Sequence, residues 1–92
     1  MSNIIVNFAV YGALSGGNEN LSQVKSVTSI IQNLIKTQEG IVTINNDTMG
    51  SDPSPGNTKH FGAELIRDGG TYNFACQEGQ TIDFLHGGSP AE

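Results

Sequence analysis

Hydrophobic positions along this chain change period in a way that marks its elements. Near the start, Ile4, Val6, Phe8 and Val10 recur every second residue, with Asn7 and Tyr11 on the alternate positions. Period two is the signature of a strand with one buried face, so a strand is predicted over Asn3 to Tyr11 with those four residues inward. Gly12 and the Ser15-Gly16-Gly17-Asn18 run interrupt it and read as a surface loop. The period then changes. Val27, Ile30, Ile31, Leu34 and Ile35 are spaced by threes and fours, which lines them along one stripe of a helix, with Gln32, Asn33 and Lys36 on the opposite side. Ser26 is placed to cap the first turn through its hydroxyl, and Asn20 with Gln23 to cap an earlier start. Gly40 suits the left-handed position that ends a helix.

Period two returns in the second half. Ile41 to Ile44 is a short β-branched run. Phe61, Ala63 and Leu65 alternate with Gly62, Glu64 and Ile66, and Asp68-Gly69-Gly70 supplies a tight hairpin into Tyr72, Phe74 and Cys76. Glu78-Gly79 turns the chain into Thr81–Leu85, where Ile82 and Phe84 face one way. Strand, helix and then four strands predict an α+β fold: a small, mostly antiparallel β-sheet with one α-helix packed on one face. The expected organisation is one compact domain over residues 1–86 and a flexible C-terminal tail over 87–92, where Gly-Gly-Ser-Pro lies.

Charge narrows the function. Only 14% of the 92 residues are charged, the net charge is −5, and the four cations Lys25, Lys36, Lys59 and Arg67 are scattered. Nucleic-acid binding needs clustered cations that displace phosphate counterions, so no nucleic-acid partner is expected. No run approaches the ~18 apolar residues of a span, so no membrane insertion is expected. The apolar stretch Ile4 to Leu14 has no basic residue before it and alternates like a strand rather than a leader. A cytoplasmic protein, or one released without a signal peptide, is the corresponding expectation. The sequons at Asn20 and Asn46 read as chance matches.

Reactive chemistry is sparse. Cys76 is the single cysteine and sits where a strand would use a small hydrophobe, and the histidines His60 and His86 have no spacing that would make it a nucleophile. No G-x-S-x-G, H-E-x-x-H, G-x-G-x-x-G or G-K-[ST] pattern occurs. Asp47 and Asp52 could offer oxygen ligands, but not at calcium-loop spacing. The expectation is a binding protein, not an enzyme, with no metal and no cofactor.

The least ordinary segment is the fifteen-residue polar connection from Asn45 to Lys59. Loops longer than about 12–15 residues are usually functional or disordered. Asp52-Pro53 and Pro55-Gly56 are turn chemistry, and the prolines favour a pre-shaped loop over a mobile one. Neutral hydroxyl ligands such as sugars are donors and acceptors at once, and Asn, Asp and backbone amides satisfy them in pairs. The candidate ligand-binding residues are therefore Asn45, Asn46, Asp47, Asp52, Asn57 and the adjoining His60, with Tyr11 and Tyr72 as the rings that have polar tips. Each of these also has an ordinary structural reading, as turn chemistry, a strand-end histidine or a half-buried tyrosine.

One ordered set of short elements carries a resemblance: Tyr11-Gly12, Val27-Thr28-Ser29-Ile30-Ile31, Asn45-Asn46-Asp47, Gly50, Asp52-Pro53-Ser54-Pro55-Gly56, Lys59-His60 and Glu78-Gly79-Gln80-Thr81-Ile82. Over most of its length the chain resembles a family of small α-galactosyl-binding mushroom lectins of fungi and plants. It has a looser likeness to the C-terminal domain of unknown function of mitochondrial J-domain co-chaperones. The chain lacks the J-domain and its His-Pro-Asp tripeptide, so the co-chaperone role does not carry over. The lectin resemblance implies a non-catalytic, cytosolic homodimer that recognises glycans ending in galactose, but it assigns no sugar contact residue by residue. The alternative expectation is a small protein–protein interaction module using a strand edge or the outer helix face.

Overall fold

A computed structural model describes residues 3–91 of the chain. Its strands are β1 (Ile4–Leu14), β2 (Ser22–Ser26), β3 (Ile41–Thr43), β4 (His60–Arg67), β5 (Gly70–Gln77), β6 (Thr81–Asp83) and β7 (Ser89–Pro90), and its helix is α1 (Thr28–Thr37). Five strands form an antiparallel sheet in the order β2-β1-β4-β5-β7, while β3 and β6 pair with each other as a separate ribbon. The α+β architecture is as the pattern predicts. Among the described residues no helix is long and apolar enough to cross a membrane.

The helix and the β3–β6 ribbon cover one face of the sheet. Val27, Ile31 and Ile35 meet Ala9, Tyr11, Phe61, Leu65 and Phe74 from the sheet and Val42, Ile44, Ile82 and Phe84 from the ribbon and its flanks. Phe84 is the centre, edge-on to Phe61 with ring centroids 6.2 Å apart and tilted against Phe74 at 4.8 Å. Aromatic pairs prefer such offset geometries because ring edges are positive and faces negative.

The first strand departs from simple alternation. Its register against β4 shifts between Val6 and Phe8, a β-bulge with Asn7 at the extra position. An inserted residue reverses every side chain after it. Ile4 and Val6 are buried as expected, but beyond the bulge Ala9 and Tyr11 point inward, while Phe8 and Val10 lie exposed on the outer face. The expectation that Phe8 and Val10 belong to the core is corrected here.

The residues between the loop at 15–18 and the helix form a strand that periodicity did not reveal. Strand β2 pairs with β1 through Gly12↔Val24. A Cβ on Gly12 would come within 2.6 Å of the Val24 Cα, so only glycine permits this approach. Because β2 covers only Val10–Leu14, the first half of β1 keeps an open edge. Gln32 closes it: its Oε1 accepts from Val6 N–H at 2.7 Å and its Nε2 donates to the Ile4 carbonyl at 3.0 Å. A residue expected on the solvent side of the helix thus replaces a missing strand.

Helix and hairpin ends follow local chemistry with two adjustments. The N-cap is Val27, with no side-chain cap bond, and the Ser26 and Thr28 hydroxyls lie 3.3 Å from each other. At the C-terminus Glu39 takes a left-handed φ of 55° as well as Gly40, and Gly40 N–H bonds the Ile35 carbonyl, a six-residue closure. In the β4–β5 hairpin Asp68 (φ 51°) and Gly69 (φ 85°) form the two-residue turn that the sequence predicts.

Residues 87–92 contain the segment expected to be a flexible tail. Within it β7 pairs with β5 through Tyr72↔Pro90 and Asn73↔Ser89, and Ala91 N–H bonds the Thr71 carbonyl. Arg67 donates to the carbonyls of Phe84 and Gly87 at 2.7 and 2.9 Å, which holds the chain leading to β7.

Candidate functional site

The Asn45–Lys59 loop is built around its own polar groups. It opens with a reciprocal clasp: Thr48 N–H donates to Asn45 Oδ1 at 2.9 Å, Asn45 N–H donates to Thr48 Oγ1 at 3.0 Å, and the Thr48 hydroxyl donates to the Thr43 carbonyl at 2.7 Å. Such a clasp satisfies the free donors of a single turn much as a capping box does. The turn drives Met49 fully into the core. Lys25 then closes over it, donating from Nζ to the Met49 carbonyl and to Ser51 Oγ, both at 2.8 Å.

The second half of the loop wraps a buried cation. Lys59 is 3% exposed, and its ammonium pairs with Asp52 at 2.9 Å and donates to the carbonyls of Ser54 at 3.1 Å and Asn57 at 2.6 Å. Glu78 is 3.6 Å away, and its Oε1 also accepts from Lys59 N–H at 2.9 Å. A buried charge is tolerated only when paired and hydrogen-bonded, and all three ammonium donors have acceptors here. The pair holds the Asp52 carboxyl below its usual range, assisted by Ser54 N–H, and pushes the Lys59 ammonium up. Ser54 is buried as well, donating to Gln23 Oε1 at 2.6 Å and accepting from Asn57 Nδ2 at 2.9 Å, while Asn57 Oδ1 accepts from Gly16 N–H at 3.1 Å.

This places the sequence candidates. Asn45, Asp52 and Asn57 are committed to the loop's internal bonds. Asn46 receives the Tyr11 hydroxyl at 2.7 Å. Tyr11 itself is completely buried, and that burial, with the nearby carboxylates of Glu78 and Asp52, pushes its phenol up to about 12. Its ring therefore packs in the core and anchors the loop. Tyr72 is distant from the loop, on the inner face beside Leu65, with the Arg67 guanidinium 4.0 Å above its ring. Asp47 and His60 alone among the eight are exposed and outside the side-chain bonds of the described residues. The structure thus brings Tyr11 to Asn46 and Asp52 to Asn57 through Lys59 and Ser54. It does not converge the eight on one surface.

Sequence reasoning missed the loop's organisers, Lys59, Ser54 and Met49. A lone cation inside a run of turn residues was the available signal for Lys59. Cys76 faces inward from β5, where burial pushes its thiol up, whereas His60 faces outward from β4, so the two do not meet. Among the described residues no group of three or more His, Cys, Asp or Glu is arranged to hold a metal.

The outer face of the sheet is the other candidate surface. Nothing covers it. Cross-strand partners share a face, so the register places Phe8, Glu64 and Asn73 in one row, Val10, Gly62 and Ala75 in the next, and Gly12, His60 and Gln77 in a third. Phe8 is 51% exposed. Asn7, from the bulge, donates to Glu64 Oε1 at 2.9 Å, whereas Asn73, Gln77 and His60 end no side-chain bond among the described residues. A shallow depression of about 380 Å³ lies over Val10, Gly12, Leu14, Val24, His60 and Gly62. Comparison with protein-family models, curated proteins and solved structures returns no match to this chain.

Proposed function

We propose that this chain is a lectin that binds galactose-terminated glycans without catalysis and works as a homodimer. One observation carries the reading: a whole face of the five-stranded sheet is open, preformed and weakly charged, with uncommitted amide and imidazole groups and a half-exposed ring upon it. Sugars are recognised by such neutral hydrogen-bonding groups together with an apolar platform. The loop supports the reading indirectly. Its internal bonds and its bonds to Tyr11 and Gln23 brace the sheet from the inner side, and a face held preformed binds without a large ordering cost. A dimer of one-site subunits supplies the two sites that crosslinking of cells requires. The test is a glycan array with an agglutination assay: binding to galactose-terminated structures, competed by simple galactosides, is expected. An array without signal at high protein concentration overturns the reading.

A second reading has its own observation. Strand β2 is an edge of the sheet, and the apolar Leu14, Leu21 and Val24 are exposed beside it. An open edge accepts an extended peptide by strand addition, which would make the chain a protein-interaction module. A specific polypeptide recovered in pull-downs and indifferent to added galactosides favours this reading over the first.

A further inference from the structure

We infer that the saccharide site lies on the outer sheet face at Phe8, Glu64 and Asn73, over a floor of Gly62 and Ala75, and not in the Asn45–Lys59 loop. This inference rests on the lectin reading and locates it.

The bulge is the first support. Without the extra residue at Asn7, period two would bury Phe8 beside Ile4 and Val6. The fold instead turns a large aromatic ring toward solvent, where it forgoes the favourable burial of a phenylalanine. Bulges re-aim side chains in this way beside functional sites. The same bulge carries Asn7, which bonds one oxygen of Glu64 and leaves the other available.

The floor is the second support. Gly62 and Ala75 are cross-strand partners, so two neighbouring positions of the face have almost no side chain. They are flanked along the strands by the Glu64–Asn73 pair on one side and the His60–Gln77 pair on the other. Those flanking pairs are four residues apart along the strand, about 13 Å at the usual rise per residue. The space above Gly62 is open: a Cβ added there would meet nothing nearer than the Phe74 carbonyl oxygen at 4.0 Å. A pyranose lying on this floor has the Phe8 ring for its apolar face and Glu64 and Asn73 for its hydroxyls. Glu64 accepts, and Asn73 both donates and accepts, which matches the dual character of a sugar hydroxyl.

The loop offers no comparable set. Asn45, Asn46 and Asp52 each commit a side-chain oxygen to the fold and Asn57 commits both its side-chain polar atoms, and the segment holds no aromatic ring for the apolar face of a sugar.

The experiment is calorimetric titration of the full chain with methyl α-galactoside and a galactose-terminated disaccharide. Wild type is compared with Phe8→Ala, Asn73→Ala, Gly62→Val and Asp47→Ala, with melting and solution mass recorded for each. Gly62 has ordinary extended backbone and open space above it, so valine fits the strand while filling the floor. Phe8→Ala and Gly62→Val are expected to weaken binding at least about tenfold. Asp47→Ala is expected to leave it unchanged. Wild-type binding that survives both Phe8→Ala and Gly62→Val overturns this location and leaves the lectin reading intact. Absence of galactoside binding in wild type overturns both. Loss of self-association in Phe8→Ala, with sugar binding retained, makes the face an interface between two copies and overturns the location as well.

Discussion

Two polar regions of this molecule use the same residue types for opposite ends. In the Asn45–Lys59 loop, asparagines, serines, threonine and aspartate turn inward and satisfy one another, the backbone and the buried Lys59 ammonium. On the outer sheet face, Asn73, Gln77 and His60 point at solvent with nothing in the described chain to bond. The first region resembles a core made of hydrogen bonds, and the second is a surface with unspent valence. Polarity by itself therefore does not locate a binding site. What matters is whether the polar atoms are already committed, because removing a committed group leaves its buried partner unsatisfied, while removing an exposed one leaves water in its place.

The sharpest way to break this contrast is through Met49. If the loop is part of the core, Met49→Ala costs about 2–5 kcal/mol in urea unfolding, as expected for a fully buried large side chain. A cost below about 1 kcal/mol would place it with surface substitutions. Tyr11→Phe tests the next link. It deprives Asn46 Oδ1 of its donor and should cost about 1–3 kcal/mol by the same measurement.

That variant has a pH signature as well. The Tyr11 phenol is pushed from 10.0 up to about 12, so its contribution is fully present below pH 10 and is lost as pH rises toward 12. Part of the alkaline loss of stability in wild type should disappear in Tyr11→Phe. On the acid side the sign reverses. The Asp52 carboxyl is lowered in the folded chain, so its contribution is present above its ordinary value of 3.8 and fades as pH falls through the lower folded value. Asp52→Asn should flatten the acid limb of a stability–pH curve, and an unchanged limb would remove Asp52 from the bracing of the loop. The smallest effects belong to the outer face. Phe8→Ala should cost about 1 kcal/mol, in keeping with a half-exposed ring. Asn73→Ala should change stability by no more than about 0.5 kcal/mol. A larger loss in either would mean that the face is covered in solution.

Much of the fold was legible because local chemistry and tertiary structure agree. The helix stripe through Ile31 and Ile35, the Asp68-Gly69 hairpin and the β4 alternation through Phe61, Ala63 and Leu65 all match their sequence signals. Strand β2 was not legible, since Ser22–Ser26 is an edge strand without a buried apolar row. Its place depends on Gly12, whose role appears only when the two backbones meet. The loop was legible as a rigid segment with turn chemistry, but the purpose of its side chains was not. No spacing rule links Lys59 to Asp52 and Glu78, or Tyr11 to Asn46, because those contacts are made by the packing of separate elements.

By itself, the sequence determined the helix, the strands with a buried apolar row and their order, though not the edge strands β2 and β7, because period, turn residues and glycines act over a few neighbouring positions. It also determined the scarcity of charge, which any surface of this chain must express. Tertiary structure alone decided which polar groups are spent and which remain. A single extra residue at Asn7 turned Phe8 from the core to the open face, and the register with β4 and β5 set Glu64 and Asn73 beside it. Such decisions depend on strand pairing between residues far apart in the chain, where a shift of one position exchanges inside for outside.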